Sequence, residues 1–157
     1  MKKNCLKSPG FTLVELLIVM TIITLLFAIG VVQYNQFNRR QVLTKAKDEL
    51  ISNLRLIQGK SLAGEKPENC LAETLEGFKL IFADNHQNYK IVVVCNGEFD
   101  VKTSLAFPTG VIKQSGPDEI FFKVLSQGTD INGQAEIILS GFNETKTIIV
   151  TGTGEIR

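Results

Sequence analysis

A run of almost purely apolar residues from Phe11 to Val32 constrains this chain more than any other feature. At ~1.5 Å of rise per residue the run spans roughly 33 Å as a helix, enough for a bilayer core. A cleaved secretory signal would be shorter and would end in a small-x-small site. Phe27-Ala28-Ile29-Gly30 is a poor site of that kind, and the pattern stays apolar through it. One carboxylate, Glu15, sits inside the run. A carboxylate in lipid is costly unless paired, so a charge kept there is a functional hypothesis by default. An ordinary anchor explains the length of the run but not Glu15. Ahead of it lies a short polar leader, residues 1–10, with Lys2, Lys3 and Lys7 and a terminal glycine, Gly10.

The segment Gly10-Phe11-Thr12-Leu13-Val14-Glu15, followed by the apolar run, resembles the processing motif of the type IV pilin and type II secretion pseudopilin superfamily. The resemblance implies that a prepilin peptidase, acting also as N-methyltransferase, cuts between Gly10 and Phe11. Phe11 then becomes the methylated terminus, and Glu15 lies five residues into the mature chain. It further implies an inner-membrane assembly platform and other pilin or pseudopilin subunits as partners. The expected location is the bacterial inner (cytoplasmic) membrane, crossed once with the N-terminus cytoplasmic and the globular domain outside, and then a pilus or pseudopilus. Lysines in the leader favour that orientation. Arg39, Arg40, Lys45 and Lys47 beyond the run weaken the charge asymmetry, so the resemblance carries much of the assignment.

The chemistry of Glu15 can be argued independently. Phe11 and Glu15 are four apart and share a helix face. Cleavage creates an α-amino cation at Phe11, on the same chain or on a neighbour one step along a filament. Pairing across subunits would reward axial packing of helices. The alternative is a tolerated polar residue near the membrane surface.

The 157 residues carry a formal charge of +1; removing three leader lysines leaves 14 basic against 16 acidic residues, net −2. That balance is no footprint for nucleic acid. Cys5 leaves with the leader. Cys70 and Cys95 remain, an even pair in a domain placed in an oxidising compartment, and a disulfide between them is expected. The alternative is a redox or metal pair. The spacing is not Cys-x-x-Cys, and the single His86 supplies no ligand set.

Past the run, Gln33 to Arg40 is polar, and then Leu43, Ala46, Leu50, Leu54 and Ile57 recur at steps of three or four. That is an amphipathic helix with one apolar face. The reading is one helix, about Phe11 to Leu62, stopped by Gly59 or Gly64 and then Pro67. Gly30 is a weak point in its apolar half, costing about 1 kcal/mol relative to Ala. Beyond Pro67 the pattern turns to strands: 78–83, 89–95, 98–105, 111–113, 120–125, 135–140 and 145–151, with a possible last one at 154–157. Asn96-Gly97 is a strong hairpin signal. The expected organisation is leader 1–10, membrane and filament-core helix 11–32, amphipathic half 33–66 and β-rich domain 67–157. The fold class is α+β, a long helix packed on an antiparallel, β-sandwich-like domain, with strands in consecutive hairpins and two small sheets favoured over one.

The β-rich half is similar to the minor pseudopilin (H-like) and minor type IV pilin group, through Glu49 to Leu56, Thr145 to Val150 and Gly154. Many pilins carry a helix-breaking proline near the position of Val32, and this chain has none. Both points favour a minor subunit.

No catalytic constellation, P-loop or metal-ligand cluster is visible, so the reading is not an enzyme, with no cofactor and no metal. Asp130-Ile131-Asn132-Gly133 reads as a turn rather than a calcium loop, because the rest of an EF-hand is missing. Asn143-Glu144-Thr145 is a glycosylation sequon by letter and turn chemistry by context. Of Phe121-Phe122, one ring is expected in the core and the other on the opposite face. Two further readings stay open: a DNA-binding minor pilin for uptake, which the net charge disfavours, and an anchored surface domain that never polymerises.

Overall fold

The computed structural model describes residues 10–70, 74–125 and 128–157, and within these the side chains of 28–32, 69, 100 and 102–104 lie outside the description. The leader residues Lys2, Lys3, Cys5 and Lys7, and the side chain of Val32, therefore fall outside it. The architecture is α+β. One helix, α1 (Leu13–Ala63), precedes a 3-10 turn at Glu68–Cys70 and seven strands: β1 (Gly77–Phe82), β2 (Asn88–Val94), β3 (Glu98–Ala106), β4 (Val111–Ser115), β5 (Glu119–Lys123), β6 (Gln134–Gly141) and β7 (Glu144–Thr151). The chain divides into two compact units, Met1–Asn38 and Arg39–Arg157.

In the second unit α1 grips the strands through one face. Leu43, Ala46, Leu50, Leu54 and Ile57 are buried, as their spacing requires. Each such leucine contributes roughly 1.5–3 kcal/mol by leaving water. Three polar contacts fix the helix on that face. Asn53 Nδ2 donates to the buried Tyr89 hydroxyl (2.8 Å), Gln58 Nε2 to the Gly154 carbonyl (2.7 Å) and Ser61 Oγ to the Phe122 carbonyl (3.1 Å). The helix ends at Gly64, not Gly59. Gly64 takes φ +60°, its N–H reaches the Ser61 carbonyl, and the Glu65 N–H reaches that of Lys60. Those two bonds form a Schellman cap, which needs a left-handed residue just past the helix.

The strands form two antiparallel sheets, β3-β2-β1-β5 and β4-β6-β7. The seven expected strands are present to within two residues at each end. The expectation of consecutive hairpins is corrected. β1–β2, β2–β3 and β6–β7 are hairpins, but β1 also pairs with β5, and β4 pairs with β6. Turn chemistry reads only local pairing, and these two partners are distant in sequence. The chain crosses between sheets after β4, through Gly116. A Cβ there would lie 2.7 Å from the Glu136 carbonyl oxygen, so only glycine fits the crossing. Two other expectations change. Leu125 lies outside β5, at φ +53°. The last segment is not a full strand but a bridge between Ile156 and Val150 beside β7.

One continuous core draws on α1 and both sheets, with Phe78, Leu80, Ile91, Ile120, Phe122, Ile137, Leu139 and Ile148 fully or nearly fully buried. Phe121 and Phe122 separate as expected. Phe122 is core, while Phe121 is half-buried and close over Gly77, where a Cβ would meet its ring at 2.8 Å. One buried residue was not legible in the pattern. Lys113 on β4 is 2% exposed, with its ammonium 2.8 Å from the Asp118 carboxylate and 4.7 Å above the Phe82 ring centre. A buried cation is tolerated only with such partners.

Cys70 and Cys95 form a disulfide with Cα atoms 6.0 Å apart, both buried. It joins the connection after α1 to the β2–β3 turn. Asp130 uses its carboxylate to accept the Phe121 N–H on β5 (3.0 Å), a contact nine residues away along the chain. Asn143 sits in the two-residue β6–β7 turn.

Candidate functional site

Each described side chain from Phe11 to Phe27 is exposed, whatever its direction around the helix. A helix apolar on every side is one that another apolar environment must cover. The hydroxyls of Thr21 and Thr24 do not spoil that surface. Thr21 Oγ1 bonds the Ile18 carbonyl (2.7 Å) and Thr24 Oγ1 the Met20 carbonyl, so both point back onto their own helix. Glu15 is the one charge in this stretch, and no lysine, arginine or histidine occurs between Gly10 and Asn38.

The junction itself is built by Thr12. Gly10, Phe11 and Thr12 precede the helix. Thr12 is the N-cap: its Oγ1 accepts the Glu15 N–H (3.2 Å), and its carbonyl accepts the Leu16 N–H (3.2 Å). Phe11, 80% exposed, is the residue just before the cap. Glu15 occupies the third helical position, in the first turn, where backbone N–H groups and the helix dipole favour a carboxylate. Thr12-x-x-Glu15 is the sequence signature of a capping box, a signal the apolar run had overshadowed. The arrangement therefore places a potential scissile bond, Gly10–Phe11, outside regular structure, one helical turn from a carboxylate without a local cation. Residues 10, 11 and 15 are thus brought together, whereas Cys70 and Cys95 belong to the other compact unit.

Among the described residues no helix is long and apolar enough to cross a membrane. Apolar side chains are described along the helix from Leu13 to Phe27. The expected span over 11–32 extends into 28–32, beyond those side chains. Among the described residues, too, no group of three histidines, cysteines or carboxylates is placed to hold a metal.

Residues 6–31 match the prokaryotic N-terminal methylation motif. The matched stretch contains Gly10, Phe11, Thr12 and Glu15 and most of the apolar run. It supports a type IV pilin-type precursor, a membrane-anchored structural protein that a prepilin peptidase processes and that assembles with other pilin subunits. The long helix packed on antiparallel sheets is consistent with a pilin-like fold. No curated protein and no solved structure matches the chain.

Proposed function

We propose that this chain is the precursor of a minor structural subunit of a type IV pilus or a type II secretion pseudopilus. The match over residues 6–31 carries the reading. Cleavage between Gly10 and Phe11 releases the leader, Phe11 is N-methylated, and the helix from Phe11 to Val32 holds the mature chain in the inner membrane. Assembly moves that helix from lipid into a bundle of like helices. An asymmetric contact that repeats without closing produces a filament. Minor rather than major status is favoured by the β-rich domain and by the lack of a proline near Val32.

In the uncut chain the Phe11 nitrogen is an amide. Cutting turns it into a cation about one turn from Glu15, in a stretch with no other positive group. The pair Phe11 amine–Glu15 carboxylate, within a chain or between neighbours, then offsets the cost of each charge in an apolar surround. Intact-mass measurement of the purified mature protein tests the processing step. The expected product lacks residues 1–10 and carries one added methyl group. An uncut chain would overturn the proposal and leave an anchored surface domain that does not polymerise.

Glu15→Gln separates the two roles of Glu15. Glutamine serves a capping box as well as glutamate does, but it has no charge to pair. The variant is expected to be cut normally and to be depleted from sheared fibres. Wild-type abundance of Glu15→Gln in those fibres would show that Glu15 acts only as a helix cap.

A further inference from the structure

The β6–β7 turn is built against local backbone preference. Phe142 and Asn143 occupy its two central positions at φ +55° and +63°. A two-residue hairpin wants positive φ at both, which Asn-Gly supplies without strain. A phenylalanine there is an outlier that the surroundings must hold in place. Gly110 makes the seat: a Cβ on it would lie 2.9 Å from the Phe142 ring. The guanidinium of Arg39 lies 5.9 Å from the ring centre on α1. The adjacent Glu144 accepts an ion pair from Arg40 Nε at 2.7 Å.

These contacts converge on one turn of helix. Arg39 is the first residue of the second compact unit, and Leu43 is the first helix residue buried in its core. Among the described residues, the hairpin tip meets Arg39 through Phe142 and Arg40 through Glu144. We propose that the β6–β7 tip is an ionic latch on this turn of α1. Closed, the domain holds the helix from Arg39. Open, the grip starts at Leu43, and one more helical turn is free at the boundary between the units. Both contacts are charge-dependent and exposed, so the latch responds to ionic strength, whereas the buried face from Leu43 to Ile57 does not. The inference rests on the folded domain alone and stands whether or not the chain is a filament subunit.

Hydrogen exchange on the full chain in detergent micelles tests it, comparing the amides of 39–43 with those of 50–57. An exposed ion pair and an exposed cation–π contact each shift an opening equilibrium by about two- to fivefold. Glu144→Gln should speed exchange at 39–43 by about that factor. Adding Phe142→Gly, which removes the ring while relieving the positive φ, should bring the total to about tenfold. Exchange at 50–57 should stay constant. In the wild type, raising salt from about 0.01 M to about 1 M shortens the screening length from about 30 Å to about 3 Å. That change should produce at least the Glu144→Gln effect and add nothing to the double variant. Unchanged exchange at 39–43 in the double variant, or an equal rise at 50–57, would overturn the latch.

Discussion

Reducing the Cys70–Cys95 bridge isolates the contribution of one covalent constraint. The two cysteines are 25 residues apart, and both are buried. In the chain-entropy account a loop of this size stabilises the fold by about 3.5 kcal/mol at 25 °C, through restriction of the unfolded chain. The perturbation is reduction rather than mutation, because both thiols keep their volume and no cavity opens. Cys5→Ser in the leader prevents exchange with a third thiol. The assay is urea unfolding of the full chain in micelles, oxidised and reduced, followed by far-UV circular dichroism. With a urea m-value of about 1.5–2 kcal/mol/M for a domain this size, the midpoint should fall by roughly 2 M. The slope should rise slightly, because the reduced unfolded chain exposes more surface. A midpoint shift below about 0.5 M at equal slope would refute the reasoning: the segment between the cysteines would then be restrained in the unfolded state without the bridge. Burial adds a kinetic expectation, that mild reductant acts no faster than the domain opens.

Burial pushes the Tyr89 hydroxyl up to about 12, against a smaller opposing effect of the Asn53 hydrogen bond. Its folded value lies above the unfolded one, so its contribution is complete below about pH 10 and is lost as pH rises from there towards 12; absorbance titration at 295 nm checks this. Tyr89→Phe should cost about 1–3 kcal/mol in urea unfolding, by leaving the buried Asn53 amide without its acceptor. The hydrogen bond from Lys113 and its charge hold Asp118 below the usual carboxylate range. Stability from that pair is present above the unfolded value and lost as pH falls through the lower folded one, and Asp118→Asn should remove this acid limb from the stability profile. Lys113→Met should be tolerated better than Asp118→Asn, because only the latter strands a buried cation. Gly77→Ala should destabilise by about 1–3 kcal/mol, since its Cβ would lie 2.1 Å from the Phe122 carbonyl oxygen.

What the sequence disclosed follows from the range of each interaction. The face from Leu43 to Ile57 was legible because helical periodicity is local. The strands were legible because turn residues punctuate them, as Asn96-Gly97 does between β2 and β3. The pairing of β4 with β6 was not, since nothing local in Val111 to Ser115 encodes a partner across more than twenty residues of chain. Lys113 was hidden for a related reason. Its burial is tolerated through Phe82, on a strand of the other sheet. At the junction, Gly10, Phe11 and Glu15 were identifiable by type and spacing. Thr12 lies in the same six residues, but a capping box is a signal of local structure and not of chemistry.

That overlap bears on how the N-terminus works. A capping box and a charge pair make opposite demands on one carboxylate. In the first turn Glu15 lies at the positive end of the helix dipole, and its charge is favoured there in the uncut chain as much as in the cut one. As a partner for the Phe11 amine, it gains only once the leader is gone. The cap therefore answers how the precursor can carry a carboxylate in an apolar run before any cation exists there. The proposed cleavage at Gly10–Phe11 would leave Thr12 and the cap in place and add a positive group beside it. The free energy gained would then be specific to the mature chain, and the new electrostatic attraction would be confined to processed subunits. The cap at Thr12 also leaves Phe11 outside regular structure, where the proposed peptidase would reach the Gly10–Phe11 bond.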